Sequence, residues 1–314
     1  MSLLSKLHLK SKLFRHKLTL HLGSFGQVPW WKQIIAAIAY YVTAELSFTL
    51  TTYPGTGSTP IWIPGGIAVG LIAIWGYPLW FGVMIGVLMT ELVAYKGWLN
   101  FNNLMMTICV VIVVTIGKVL SVYWTERLTQ NRYFLGRAQD TIKFVIFGCF
   151  LSHLPVGLLC PFILYIFGRI PAALYPQIAL TWWLSDVFGI LILTPLISAF
   201  DQQINHFRVL LKQRWLEAIM ILSCTLIISQ IIADGYHAEY LLIPILVWCV
   251  FRFKELGATI IIFTITIIIV IYTVQGYGSF AQKSIVNSLL LLQSFIGCIS
   301  MTTLVLNGVL NEKE

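Results

Sequence analysis

Ten stretches of this chain are too apolar to face water. They cover residues 33–53, 61–76, 78–95, 103–124, 143–167, 177–199, 215–233, 238–252, 256–275 and 285–310. A helix that crosses a bilayer needs about 20 mainly apolar residues, and fewer where neighbouring helices shield a short or broken one. The second and eighth stretches, IWIPGGIAVGLIAIWG and AEYLLIPILVWCVF, are short enough to be half-depth or strongly bent elements. The pattern predicts an all-α, polytopic integral membrane bundle of 8–10 transmembrane helices. Composition agrees: 58% of residues are hydrophobic and 10% charged, where a soluble domain carries about 25% charged residues.

The positive charge sorts by side. With the N-terminus in the cytoplasm and alternating crossings, sixteen of the twenty Lys and Arg fall on the inner side: Lys6, Lys10, Lys12, Arg15, Lys17, Lys32, Arg127, Arg132, Arg137, Lys143, Arg208, Lys212, Arg214, Arg252, Lys254 and Lys313. Only Lys96, Arg169 and Lys283 fall outside, and Lys118 lies within the fourth stretch. That bias is what membrane orientation requires, and it places both termini in the cytoplasm. The formal charge of +8 is spread over every inner loop and forms no aromatic-laced patch, which excludes nucleic acid and leaves the lipid bilayer as partner. Residues 1–32 read as a basic cytoplasmic leader, 33–310 as the transmembrane domain and 311–314 as a short cytoplasmic tail. No small-residue cleavage site follows the first apolar stretch, so it reads as a retained helix.

Few ionisable side chains lie at membrane depth, where each costs at least ~2.5 kcal/mol and tends to face the bundle interior. They are Glu45, Glu91, Lys118, His153 and Asp186. In this topology Glu45 and Glu91 fall in the outer halves of their helices, and Asp186 about midway along its own. Trp182 and Trp183 precede Asp186 by one turn and are expected on its face, and Trp62, Pro64 and the glycines after them arrive at the same outer level. The expected site is a hydrated cavity open to the outer side, walled by tryptophan and floored by carboxylates: Glu45, Trp62, Pro64, Glu91, Trp182, Trp183 and Asp186. Lys118 is expected to snorkel to the inner surface. His153, two residues before Pro155, is expected to satisfy a carbonyl that the proline frees.

Nothing in the pattern calls for catalysis, a cofactor or a metal. There is no phosphate-cradling glycine loop and no Ser, His and Asp set with motif support. The six cysteines all lie in apolar stretches, at neither redox nor metal-ligand spacing, and read as small core residues. The expected inner loops, 125–142 and 200–214, are too short to house a soluble domain.

Several segments carry a family resemblance. WIPGGIAVGLIAIWGYPLWFGVMIGVLMTEL, TWWLSDVFGILILTPLI, LIPILVWCVFRFKELGA, and GYGSF followed by SLLLLQSFIGCISMTTLVLNGVLNEKE together resemble the first type of bacterial membrane-associated sensor domain, the MASE family. The likeness runs from about residue 35 to the C-terminus. It implies a sensor module of the bacterial inner membrane, normally joined at its cytoplasmic C-terminus to a histidine kinase or to a diguanylate cyclase or phosphodiesterase. Here only a few residues follow the last helix, so the output domain is expected either to be such an enzyme acting in trans or to have been lost, with a second copy of the chain as a further candidate partner.

Two readings follow. In the first, a ligand bound in the outer cavity shifts the last helix and a cytoplasmic partner reads the shift. In the second, the same carboxylates and the short second and eighth segments belong to a small-molecule or proton-coupled transporter. Ile63-Pro64 and Ile243-Pro244, each opening a short segment, give a faint sign of an internal repeat.

Overall fold

The computed structural model describes residues 28–53, 59–130 and 134–313, and all regular structure among them is helical. Most of the basic leader, residues 1–27, lies outside the described residues, as do Arg132 and the last residue of the tail. The helices are α1 (Trp30–Leu50), α2 (Ile63–Trp75), α3 (Trp80–Tyr95), α4 (Phe101–Thr129), α5 (Ala138–Ile166), α6 (Tyr175–Gln213), α7 (Trp215–Ala233), α8 (Leu242–Val274) and α9 (Ile285–Asn311). Among the described residues, eight are long and apolar enough to cross a membrane, and α2, with 13 residues, is the short exception.

Helix α8 is two arms. Lys254 has φ 54° and ψ −152°, which no helix accommodates, and the chain reverses there. The reversal follows from its ends: the Ser279 hydroxyl beyond α8 donates to the Glu239 carboxylate before it. The arms 242–253 and 255–274 match the eighth and ninth stretches of the sequence. Both termini of the described chain thereby emerge at the same end of the bundle, where Glu312 accepts from the Ala138 amide at 3.2 Å and Gln33 donates to the Pro78 carbonyl at 3.0 Å.

Prolines shape the outline. Pro64 occupies the first turn of α2, where its missing N–H costs nothing. Inside α5, Pro155 frees the Leu151 carbonyl, and Leu151 ends a π-helical stretch, Phe144–Leu151, that loosens the helix just ahead of the proline. The expected inner loop 200–214 is instead the end of α6: no Gly or Pro interrupts residues 196–213, and Phe207 and Leu210 keep an apolar face against the core. At ~1.5 Å per residue this 39-residue helix is about 58 Å long and outreaches a bilayer.

Helix α6 is the centre of the bundle, packed against α2, α5, α8 and α9. The residues exposed on the periphery are large and apolar, among them Ile38, Ile112, Ile116, Leu159, Phe162 and Ile227, a surface that suits lipid.

Candidate functional site

The site begins with a close approach of two backbones. A Cβ at Gly66 would lie 2.1 Å from the Gly189 carbonyl oxygen, and one at Gly189 would lie 2.1 Å from the Trp62 carbonyl oxygen. Glycine at both positions lets the first turn of α2 rest on α6. The approach is fixed by hydrogen bonds: Trp62 N–H donates to the Ser185 carbonyl at 2.8 Å, Thr194 donates to the Gly66 carbonyl at 3.1 Å, and the Ser185 hydroxyl donates to the Thr59 carbonyl. Residues 59–62 are thus held along α6 beside Ser185.

Beneath this contact lies a buried ion pair. Lys118 Nζ on α4 meets Asp186 Oδ1 on α6 at 2.5 Å, and Lys118 is fully buried. This corrects the expectation that Lys118 snorkels. The fourth helix continues to Thr129, eleven residues and about 16 Å beyond Lys118, further than a lysine side chain extends. The first turn of α2 covers the pair, since a Cβ at Gly65 would lie 2.4 Å from Asp186 Oδ1 and 3.1 Å from Lys118 Nζ. The positive end of the α2 dipole therefore faces the carboxylate, a favourable arrangement.

Above the pair is a cavity of about 320 Å³. Its aromatic walls are Tyr40, Phe48, Trp62, Tyr95 and Trp182; its polar groups come from Thr59, Thr181, Ser185, Glu91 and Asp186. Val114, Val156, Leu164, Ile170 and Ile178 complete an apolar lining. Trp62 is positioned by Nε1 donating to the Tyr40 hydroxyl at 3.2 Å and by the Phe48 ring at 5.2 Å. The cavity lies at the end of the bundle opposite the termini, with the connecting residues 51–53, 59–62, 96–100 and 167–174.

Of the residues expected to form the site, Trp62, Glu91, Trp182 and Asp186 line this cavity together. Pro64 is buried in the first turn of α2 and does not line it. Glu45 is half-buried on α1 and also lies outside the lining. Trp183 turns away toward α5, where Nε1 donates to the Phe150 carbonyl at 2.9 Å and Gly157 makes room for its backbone. Consecutive helical residues differ by about 100° in direction, so Trp182 and Trp183 cannot share a wall. His153 likewise differs from expectation: Nδ1 pairs with the Ser152 hydroxyl at 2.9 Å, and Nε2 is buried with no partner.

Tyr40, Tyr95, Thr59 and Ser185 were not singled out from the sequence. Tyr95 follows Glu91 by four residues and Tyr40 interrupts a small-residue face of Ala36, Ala37 and Ala44, so helical spacing carried a signal for both.

Two polar links join the cavity elements to the last helix. Near the cavity, Gln293 on α9 donates to the Pro60 carbonyl at 2.8 Å. At the opposite end, Glu255, the first residue after the reversal in α8, accepts from Gln203 on α6 and from Asn307 on α9, each at 3.2 Å. Among the described residues no His, Cys, Asp and Glu group could hold a metal ion, and all six cysteines are free.

The sequence model of one family, MASE1, matches residues 31–314. No curated protein and no solved structure matches the chain.

Proposed function

The chain belongs to the MASE1 family of membrane-associated sensor domains, and on that premise we propose that its cavity is the input site and α9 the output of a sensor in the bacterial inner membrane. In this reading the cavity opens to the outer side and both termini lie in the cytoplasm. A ligand that enters between Trp62, Trp182 and Glu91 shifts residues 59–62, and α9 passes the shift to a cytoplasmic histidine kinase or cyclic-di-GMP enzyme in trans. The observation that carries the proposal is the position of residues 59–62: they line the cavity through Thr59 and Trp62, are bonded to Ser185 on one side, and meet Gln293 of α9 on the other. Occupancy can bias this arrangement only by differential affinity, and a fiftyfold preference corresponds to about 2.3 kcal/mol of coupling.

Two measurements test it. A photo-crosslinking amino acid at Lys313, in cells that express the chain, is expected to capture a kinase or a cyclic-di-GMP enzyme identifiable by mass. If proteoliposomes of the wild-type chain instead show saturable substrate flux driven by a pH gradient, the chain is a transporter and the sensor reading fails. Gln293→Ala is expected to cost about 1–2 kcal/mol, because it leaves the Pro60 carbonyl without its donor, while removing most of the signal-dependent change in partner activity. An output that responds normally in this variant would break the proposed link.

A further inference from the structure

We infer that the cavity takes a small organic monocation, an alkyl or aryl amine with an apolar body, and that Glu91 is its counter-ion. The inference rests on the input-site reading above and adds to it the chemical class of the ligand.

The carboxyl groups that line the cavity outnumber the cations that meet them among the described residues. Two carboxylates line it, Glu91 and Asp186. The cation that meets them among the described residues, Lys118, is fully buried, lies outside the lining and is already committed to Asp186 at 2.5 Å. Glu91 is 7% exposed, takes part in none of the ion pairs among the described residues and faces the empty volume. Its neighbour is the Tyr95 hydroxyl, one turn on, which carries no charge. Arg169 does not balance it: that side chain is exposed, and it donates to Asn103 at 2.6 Å. A buried carboxyl group without a cation ionises only at a cost, and an arriving ammonium supplies the partner that its charged form lacks.

The walls fit the same ligand. Trp62, Trp182, Tyr40 and Tyr95 line the same cavity as Glu91, and aromatic walls attract cations that have lost water. The remaining lining is aliphatic and suits an apolar body. An anion would find Glu91 and Asp186 opposing it and no unpaired cation. The small volume, about 320 Å³, restricts the ligand to one ring or a short chain beside its amine.

Three probes of one shape separate the alternatives: phenethylamine, 2-phenylethanol and phenylacetate, which carry a positive, no and a negative charge at neutral pH. Binding is followed by titration of the whole chain in nanodiscs, with thermal stability as a second readout. Phenethylamine is expected to bind saturably and at least tenfold more tightly than either other probe. Glu91→Gln is expected to weaken it at least tenfold, and Glu91→Asp, which keeps the charge, to keep more than half of that preference. Should Glu91→Gln fail to fold, Trp182→Leu provides the second variant, with an expected loss of phenethylamine affinity of about tenfold. Equal binding of all three probes, or a preference for phenylacetate, overturns the cationic assignment and leaves the cavity reading standing. Binding of phenethylamine that neither variant changes places it in lipid or elsewhere, and overturns the assignment too. Absence of binding by every probe removes the aryl amine and with it the inference; the input-site reading is judged separately, by the crosslink at Lys313.

Discussion

Lys118→Met is expected to destabilise the bundle by about 3–5 kcal/mol, and adding Asp186→Asn is expected to recover most of the loss. Each single substitution removes half of a pair joined at 2.5 Å, with Lys118 fully buried and Asp186 nearly so, and leaves the other charge without its partner. Breaking a buried pair from one side is costly, whereas removing both charges is often neutral. Asp186→Asn alone therefore belongs among the damaging variants, because it leaves the Lys118 ammonium uncompensated. The consequence for function is practical: loss of response in Asp186→Asn does not identify Asp186 as a ligand contact until its stability has been measured. Reversible unfolding of the wild type, both single variants and the double variant in one detergent gives the coupling as a double-mutant cycle. Additive losses, with the double variant the least stable of the four, would show that the two side chains do not act as a pair.

Gly189→Ala is expected to have an effect at least as large, about 3 kcal/mol or more, with little folded protein recovered. The added Cβ would lie 2.1 Å from the Trp62 carbonyl oxygen and 2.7 Å from its carbonyl carbon. Both atoms are backbone, so no side chain can turn aside, and α2 must leave α6. Overpacking costs typically ~1–3 kcal/mol where side chains can adjust; here separation also breaks the Trp62 N–H bond to Ser185 and the Thr194 bond to Gly66. Gly168→Ala is the contrasting variant. It has φ 70° and nothing within 4 Å of its added Cβ, so only backbone strain of roughly 1–2 kcal/mol is expected. Comparison of purified yield and thermal midpoint for the two variants checks the ranking, and equal tolerance would contradict the close contact.

The helices were legible in the sequence because burial in hydrocarbon leaves the backbone so little choice. Even the reversal in α8 left a trace, as a short stretch ending in Phe251-Arg252-Phe253-Lys254-Glu255, where charge interrupts an apolar run. Depth was legible for the same reason: the cost of an ionisable group marked Glu91 and Asp186. What a single sequence withheld was azimuth and partnership. Glu45 lies at a plausible depth and outside the cavity lining, and Trp183 stands next to Trp182 yet packs on α5. The partner of Asp186 is 68 residues away on another helix, and no local pattern specifies that pairing. Lys118 read as a snorkelling residue because α4 was expected to end near residue 124. Its helix runs on to Thr129, through the polar residues Thr125, Glu126 and Arg127, and that extension places the lysine in the interior. Ser185 and Thr59 carry no depth signal, since a hydroxyl can bond the carbonyls of its own helix.

The family membership and the cavity meet in one physical idea. A cavity at one end of the bundle is tied by residues 59–62 to α9, and in the proposed reading α6 would carry a displacement there to the Gln203, Glu255 and Asn307 cluster at the other end. Sensors of this kind depend on a bundle with two packings close in free energy. The polar links are the natural place for that choice, because each is a hydrogen bond of modest net strength that can exchange partners.

Hydrogen exchange in α9 tests this coupling most directly. Ala94 lies on the rim of the cavity and is exposed, so Ala94→Trp fills the mouth without a ligand and without disturbing the core. Exchange measured peptide by peptide in nanodiscs, wild type against Ala94→Trp, is expected to change in residues 303–311 around Asn307 as well as at the cavity. That distant change is expected to disappear when Gln293→Ala is added. A change confined to the cavity lining, with 303–311 exchanging as in the wild type, would contradict the coupling of cavity to output helix.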